Sequence, residues 1–334
     1  MKKRVAINGF GRIGRATARI ILSDYADKLE LVAINDPSPT TTTAHLLQFD
    51  SNFGTFKKNI EIVNEGSDEY LIVGDAKIKS FSTREISELP WGDLDIDIVL
   101  ECTGVFRTEE TCQRHIDQGA KKVLLSAPPK SDGFRVIVLG VNDEELQDSD
   151  KFVSNASCTT NCLAPVVKVL HDNFIVKSGL MTTIHAYTND QGVLDVGHKD
   201  LRRARAAAVN MIPTSTGAAK AVGIVMPEMA GKLTGLAVRV PISTVSLVDL
   251  TVKLDKKVTA EEVNAVFKAE SEKNPRIFGY ETRPCVSKDF QCDSRSTIVD
   301  ADQTMVMDDM VKVMSWYDNE WGYSCRYVDL ATMM

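Results

Sequence analysis

Arg4-Val5-Ala6-Ile7-Asn8-Gly9-Phe10-Gly11-Arg12-Ile13-Gly14 is the stretch that decides the fold. Residues Arg4–Asn8 read as a buried strand. Gly9, Gly11 and Gly14 then follow in G-x-G-x-x-G spacing, and Ile13, Ala16, Thr17, Ile20 and Ile21 continue at helical spacing. A second strand, Leu29–Asn35, ends at Asp36, 22 residues beyond Gly14. A glycine triplet after a strand, opening a helix, with an acid closing the next strand is the setting of a dinucleotide-binding turn. The glycines allow the tight turn and let backbone N–H groups approach a pyrophosphate at the helix N-terminus. Asp36 is placed to accept from a ribose 2′-hydroxyl. The alternative is a βα turn with a structural role only.

Working outward, Thr40-Thr41-Thr42-Thr43 reads as an N-cap before a helix carrying a structural His45. Residues 60–81, with a turn at Gly74-Asp75, read as antiparallel strands inserted in the domain. Asp97–Glu101 is a buried strand ending in Cys102-Thr103-Gly104, followed by a helix over Thr108–Gln118. Lys122–Ser126 is another strand. Alternating strands and helices predict a parallel, doubly wound sheet whose carboxyl ends bring Gly9, Asp36, Thr103 and Ser126 to one crevice. Cys102 and Cys112 read as packing residues.

The pattern changes after residue 157. Long strand-like runs, Gly179–Thr188, Leu236–Pro241 and Val245–Lys253, predict a mostly antiparallel sheet. A helix over Thr259–Lys273 covers it with Ala260, Val263, Val266 and Phe267. The chain is therefore read as α/β followed by α+β: an N-terminal Rossmann-type, doubly wound parallel sheet and a C-terminal domain with a mostly antiparallel sheet.

Composition is that of a globular chain large enough for two domains: 334 residues, 43% hydrophobic and 25% charged. A net charge of −7 argues against a general nucleic-acid surface. No run is apolar enough to span a membrane, and Met1-Lys2-Lys3-Arg4 leads into no apolar signal segment. Seven cysteines, an odd number, argue against a disulfide framework and for a cytoplasmic location. No second cluster joins Cys158 and Cys162 to form a zinc site, so no metal is expected.

The chemistry-bearing stretch is Ser154-Asn155-Ala156-Ser157-Cys158-Thr159-Thr160-Asn161-Cys162. Small polar residues lead here into an apolar run at helical spacing, which places Cys158 at a helix N-terminus. There a thiol gains thiolate character. The competing reading is a buried, inert cysteine. Farther on, His198-Lys199-Asp200-Leu201-Arg202-Arg203-Ala204-Arg205 is basic and Pro213-Thr214-Ser215-Thr216-Gly217-Ala218-Ala219 is rich in hydroxyls. Together they suggest donors for an anionic small substrate; alternatively they are a solvated turn and a loop.

Along nearly its whole length the sequence resembles the phosphorylating glyceraldehyde-3-phosphate dehydrogenases. The matching motifs are Asn8–Arg15, Glu101–Gly104, Ser154–Asn161, His185–Thr188, Arg202–Ala207, Pro213–Lys220 and Trp316–Ser324. The resemblance implies Cys158 as nucleophile and His185 as acid/base. It implies Thr188 and Arg239 at the substrate's own phosphate, and Ser157, Thr159, Thr216 and Gly217 at the attacking phosphate. NAD contacts are implied for Gly9, Gly11, Arg12, Ile13, Gly14, Asp36, Arg84, Thr103, Ser126, Asn319 and Tyr323. Domains of 1–157 and 158–318 are implied, with residues 319–334 returning to the first. A homotetramer is also implied, with residues 187–210 packed between subunits. The expected reaction joins glyceraldehyde 3-phosphate, inorganic phosphate and NAD. NAD-selective members resemble Leu-Pro where this chain has Val196-Gly197, and carry a hydrophobe at Pro37. Asp36 still argues for NAD over NADP. Erythrose-4-phosphate dehydrogenases share most of these motifs, and a redox-sensing or partner-binding module using Cys158 is the reading from another class.

Overall fold

The structure, a computed structural model, describes residues 2–334. The chain divides into two compact units. One holds the residues up to Ile137, Glu144–Ala156 and Ser324–Met334; the other holds Val138–Asp143 and Ser157–Tyr323. This differs in detail from the boundaries expected at 157/158 and 319. Ser157 caps the first helix of the second unit. Gly140 lies against Ile277, which holds Val138–Asp143 in that unit.

The first unit starts with β1 (Lys3–Asn8), α1 (Arg12–Asp24), β2 (Leu29–Asn35) and α2 (Thr40–Gln48). The short pair β3 (Phe49–Asp50) and β4 (Gly54–Thr55) follows, then β5 (Ile60–Glu65), β6 (Asp68–Val73) and β7 (Ala76–Phe81). Next come β8 (Ile98–Glu101), α3 (Glu109–Asp117), β9 (Lys122–Leu125), β10 (Arg135–Val136) and β11 (Phe152–Ser154). The main sheet has the order β10-β11-β9-β8-β1-β2-β7-β6-β5. It is parallel from β10 to β7. The β5–β7 meander is antiparallel, as its turn signals suggest, and β7 pairs with β2, which makes it an extension of the sheet. Trp91, Val99, Cys112, Val123 and Phe152 pack in one core cluster. Each large apolar side chain sealed this way contributes roughly 1.5–3 kcal/mol. The Thr40–Thr43 run is not a cap. The helix begins at Thr40 behind Pro39, so the threonines form its first turn.

The second unit contains α4 (Cys158–Phe174), β12 (Val176–Ala186), β13 (Ile212–Ser215), α5 (Ala218–Val225), β14 (Leu233–Val240) and β15 (Ser246–Leu254). It continues with α6 (Ala260–Lys273), β16 (Phe278–Glu281), β17 (Thr297–Met307) and β18 (Met310–Tyr317). Its sheet runs β13-β14-β12-β15-β18-β17-β16. All neighbouring pairs are antiparallel except β12–β14 and β16–β17. Thr259 starts α6 with a capping box to Glu262, and Val263 and Phe267 form its buried face. The last helix, α7 (Trp321–Met333), has its Tyr327 hydroxyl donating to the Leu124 carbonyl at 2.5 Å within the first unit. Lys122 Nζ donates there to the Met334 carbonyl at 2.7 Å.

Candidate active site

In the first unit, β1 is flanked by β2 and β8, so the chain order reverses at β1 and leaves a crevice beyond the strand ends. Gly9 has φ +90°, and a Cβ there would sit 2.5 Å from the Thr103 nitrogen. A Cβ on Gly14 would meet the Gly9 carbonyl oxygen at 2.2 Å. Gly11 faces open space, with nothing within 4 Å of a Cβ. It is the N-cap of α1 and supplies no side-chain cap. Two glycines thus serve chain packing, and the third leaves room over the helix N-terminus, where a pyrophosphate fits. Asp36 is fixed by backbone donors, from Phe10 N to Oδ2 and from Ser38 N to Oδ1, each at 3.0 Å. Asn8, Gly9, Gly11, Asp36, Arg84 and Thr103 all line one cavity of about 420 Å³.

The remaining residues expected at the cofactor do not line this cavity with their side chains. The Arg12 guanidinium pairs with Asp50 and lies over the Phe53 ring at 5.2 Å. Ile13 and Gly14 are in the first turn of α1 and do not line the cavity. Ser126 follows β9 and hydrogen-bonds the Cys102 thiol. Asn319 and Tyr323 belong to the second unit; the Asn319 Oδ1 accepts from Ser246 Oγ at 2.9 Å.

In the second unit, Cys158 is the first residue of α4. Ser157 caps that helix, its Oγ accepting from Thr160 N at 3.1 Å. His185 comes from β12, and its Nε2 is 3.5 Å from Cys158 Sγ. Arg239 on β14 is the register partner of His185 across a parallel pair. It is half-buried in an interior strand, where its sequence alone reads as an exposed edge residue. Its Nη1 donates to the Ala186 carbonyl at 2.9 Å and lies 2.6 Å from His185 Nδ1. His185 Nδ1 is itself 2.7 Å from the Ala186 carbonyl. A guanidinium nitrogen can only donate, so acceptance by Nδ1 from Arg239 and donation by Nδ1 to that carbonyl exclude each other. The tautomer with its hydrogen on Nδ1, given to the Ala186 carbonyl, is the one that leaves Nε2 bare toward the thiol; Arg239 then acts on the ring by charge and is held by the same carbonyl.

The expected phosphate ligands belong to the same unit as this pair. Thr159 follows Cys158, but its hydroxyl bonds the Tyr317 hydroxyl at 2.8 Å. Thr188 lies just past β12, its N–H donating to Gln191 Oε1 at 3.4 Å. Thr216 and Gly217 precede α5, which packs against α4; the Thr216 hydroxyl accepts from Ala218 N at 3.2 Å. Two cations of the basic run 198–205 are paired within its own neighbourhood. Arg203 binds Asp190 at 2.5 Å and Thr214 at 2.8 Å, and Arg205 pairs with Asp195 at 3.2 Å. Arg203 and Arg205 thus brace the loop; Arg239 is the cation in contact with the reactive pair, and the charge of Arg203 adds a smaller effect on His185.

Electrostatics correct a second expectation. The helix N-terminus does not by itself yield a thiolate: burial pushes the Cys158 thiol up, while Arg239 and Thr159 partly offset it. Burial and then Arg239 press His185 down to about 3. The resting pair is thus a thiol and a neutral imidazole. Burial drives Cys162 to about 12, so it is inert at neutral pH.

Residues 3–109 match the family described as "Glyceraldehyde 3-phosphate dehydrogenase, NAD binding domain", and residues 157–319 match its "C-terminal domain". The chain belongs to the glyceraldehyde-3-phosphate dehydrogenase family. It is 52% identical to the glyceraldehyde-3-phosphate dehydrogenase of Mycobacterium tuberculosis H37Rv over 339 residues, covering 100% of this chain and 99% of the relative. The Pseudomonas aeruginosa PAO1 enzyme is 52% identical, with 99% and 98% covered. The chloroplastic glyceraldehyde-3-phosphate dehydrogenase A of Chlamydomonas reinhardtii is also 52% identical, with 99% and 88% covered.

Within this family member the structure adds residues that motif reading passed over. Tyr317 bonds both Thr159 and Thr183 at 2.8 Å and sets its ring edge-on to His185, with centroids 6.0 Å apart. Ser246 accepts from Ala186 N at 3.1 Å and donates to Asn319, linking the two positions. Tyr317 lies inside the Trp316–Ser324 motif, which was a usable signal; Ser246 in its strand gave none. Among the described residues no group of three or more His, Cys, Asp or Glu is arranged to hold a metal ion. None of the described helices is long and apolar enough to cross a membrane.

Proposed function

We propose that this chain oxidises glyceraldehyde 3-phosphate with NAD and inorganic phosphate to 1,3-bisphosphoglycerate, the glycolytic step. The observation that carries the mechanism is the 3.5 Å Cys158–His185 pair with Arg239 against the imidazole. His185 Nε2 takes the thiol proton as Sγ bonds to the aldehyde carbon, and returns a proton to the resulting oxyanion. It takes the hydroxyl proton again as hydride leaves that carbon, and a thioester on Cys158 results. Bound NAD supplies the hydride acceptor. Gly9, Gly11, Asp36 and Thr103 are the residues that hold it. An oxygen of inorganic phosphate then attacks the thioester carbon, the C–S bond breaks, and Cys158 is regenerated as the acyl phosphate leaves.

Arg239 and Thr188 hold the substrate's own phosphate in this reading. A dianion on Arg239 also compensates the charge that opposes an imidazolium, so substrate binding eases proton transfer from sulfur to His185. Ser157, Thr216 and Gly217 serve the attacking phosphate. The test is formation of reduced cofactor from glyceraldehyde 3-phosphate with and without phosphate. Sustained turnover is expected only with phosphate or arsenate. Equal steady-state rates without either would overturn the acyl-transfer half, and preference for erythrose 4-phosphate would change the substrate.

The protein acts in the cytoplasm as a homotetramer in this proposal. Val193, Leu194, Leu201, Val209 and Met211 all fall within or beside residues 187–210 and are at least three-quarters exposed. Exposed large apolar side chains gathered in one segment fit a surface that another subunit covers. Light scattering on the purified protein gives the oligomeric state directly; a monomeric mass would refute it.

A further inference from the structure

Glu101 has no role in the reading above, yet it is fully buried at the end of β8 beneath the dinucleotide cavity. Every contact it makes is with a donor. Oε1 accepts from Thr103 N at 2.8 Å and from the Thr103 hydroxyl. Oε2 accepts from Asn8 Nδ2 at 2.7 Å and faces His115 Nε2 at 3.1 Å. His115 is also fully buried, and its Nδ1 accepts from the Trp91 indole at 3.0 Å. Indole nitrogen can only donate, so the His115 hydrogen sits on Nε2 and is given to Glu101. On the other side, Asn8 Oδ1 accepts from Asn35 Nδ2 at 2.7 Å, and Asn35 exchanges hydrogen bonds with the Thr83 backbone. Asn8, Asn35, Thr83 and Thr103 all line the cavity.

We propose that Glu101 is the positioning residue of the NAD pocket. It sets the Thr103 turn against Gly9 and, through Asn8 and Asn35, fixes the Thr83 edge beside Arg84. His115 acts with it as a relay whose tautomer is set by Trp91. This rests on the reading of the cavity as the NAD site. A buried carboxylate with four donors is costly to replace, since an amide can accept at only one of its two ends. Glu101→Gln therefore turns an NH₂ toward one pair of donors and releases either the Thr103 turn or Asn8.

The experiment measures NAD binding to the cofactor-free protein by calorimetry, beside steady-state kinetics and melting. Glu101→Gln should weaken NAD by about ten- to a hundredfold, roughly the loss of one or two units of 1.4 kcal/mol. It should raise the NAD KM while leaving kcat at saturation near wild type, and leave iodoacetamide alkylation of Cys158 unchanged. His115→Gln can both accept from Trp91 and donate to Glu101, so it should bind NAD as wild type does. His115→Leu can do neither and should lose affinity as Glu101→Gln does. Val99→Ala, a cavity variant in the same strand, should lower the melting temperature without weakening NAD. The proposal is overturned if Glu101→Gln binds NAD normally, if His115→Gln fails as badly as His115→Leu, or if Val99→Ala weakens NAD equally. If Glu101→Gln does not fold, the two His115 variants decide. A wild-type protein that takes up no NAD would instead refute the cofactor reading itself.

Discussion

Replacing Arg239 with methionine should raise the pKa of His185, and the structure sets the scale. The guanidinium Nη1 lies 2.6 Å from His185 Nδ1. At an effective dielectric of about 20, two unit charges at that separation repel by on the order of 6 kcal/mol. Counter-charge and side-chain relaxation remove much of this, but even a fifth of it equals about one pKa unit. Burial, the larger cause of the depression, remains in the variant. The imidazole of Arg239→Met should therefore titrate at least about one unit higher than wild type, yet still below the ordinary value near 6.5. Histidine-labelled protein followed by NMR against pH reads this directly, with His185→Asn used to assign the resonance. Adding glycerol 3-phosphate should raise the wild-type value, because its dianion compensates Arg239, and should leave the variant unmoved. An identical His185 titration in wild type and variant would show that burial alone sets the pKa, and substrate-assisted proton transfer would lose its basis.

Cys158→Ser should abolish turnover while Cys162→Ser keeps most of it, because only Cys158 faces His185 and Cys162 is sealed against Thr297 and Ser315; equal loss in two folded variants would reassign the nucleophile. His185→Asn should lower the rate by about 10²–10⁴, the usual scale of general acid–base catalysis, and a wild-type hydride-transfer rate in a single turnover would remove His185 from the mechanism. The folded pKa of His185 is about 3, below its unfolded value of 6.5, so the unfolded chain binds the extra proton between those values. Stability from this group is complete above the unfolded pKa and is lost as pH falls toward 3, with a slope of at most about 1.4 kcal/mol per pH unit; denaturant titrations should show a flatter acid limb in His185→Asn, and parallel limbs would contradict the assignment. Asp36→Ala should narrow the preference for NAD over NADP, since a like charge beside the 2′-phosphate costs on the order of 1–4 kcal/mol. Better use of NADP than NAD by the unaltered protein, measured as kcat/KM, would point to Gly197, Pro37 and Arg84 as the controlling residues.

What was legible in the sequence was what short-range backbone needs dictate. The Gly9, Gly11 and Gly14 spacing has meaning only if a strand turns into a helix within a few residues, and the structure uses Gly9 and Gly14 for close chain packing and Gly11 for open space. Thr108 and Thr259 cap their helices because the side chain that satisfies the N3 N–H must stand three residues before it. The Thr40 run misled because four hydroxyl residues look like a cap wherever the first turn falls; here Pro39 precedes the helix and its fixed φ starts it one residue later. Within the basic run, the partners of Arg203 and Arg205 are acids 13 and 10 residues upstream. The loop's charge balance was readable in principle, but only by pairing across the whole loop.

The reactive pair was legible as two residues and illegible as an environment. The motif Ser154–Asn161 places Cys158 at a helix start, and helix starts favour thiolates. The opposing effect is burial of the thiol, and no local pattern reports it. Arg239 shows the same limit more sharply. It stands 54 positions from His185, and the two meet only because β12 and β14 run parallel inside a sheet that is mostly antiparallel. An antiparallel pairing of the same strands would keep their composition, burial pattern and length, yet move the guanidinium along the strand and away from the imidazole. The chemistry of this site therefore depends on strand direction as much as on residue identity. A variant that kept Cys158, His185 and Arg239 but shifted the β12–β14 register by two residues would keep every motif and lose the coupling between substrate phosphate and proton transfer.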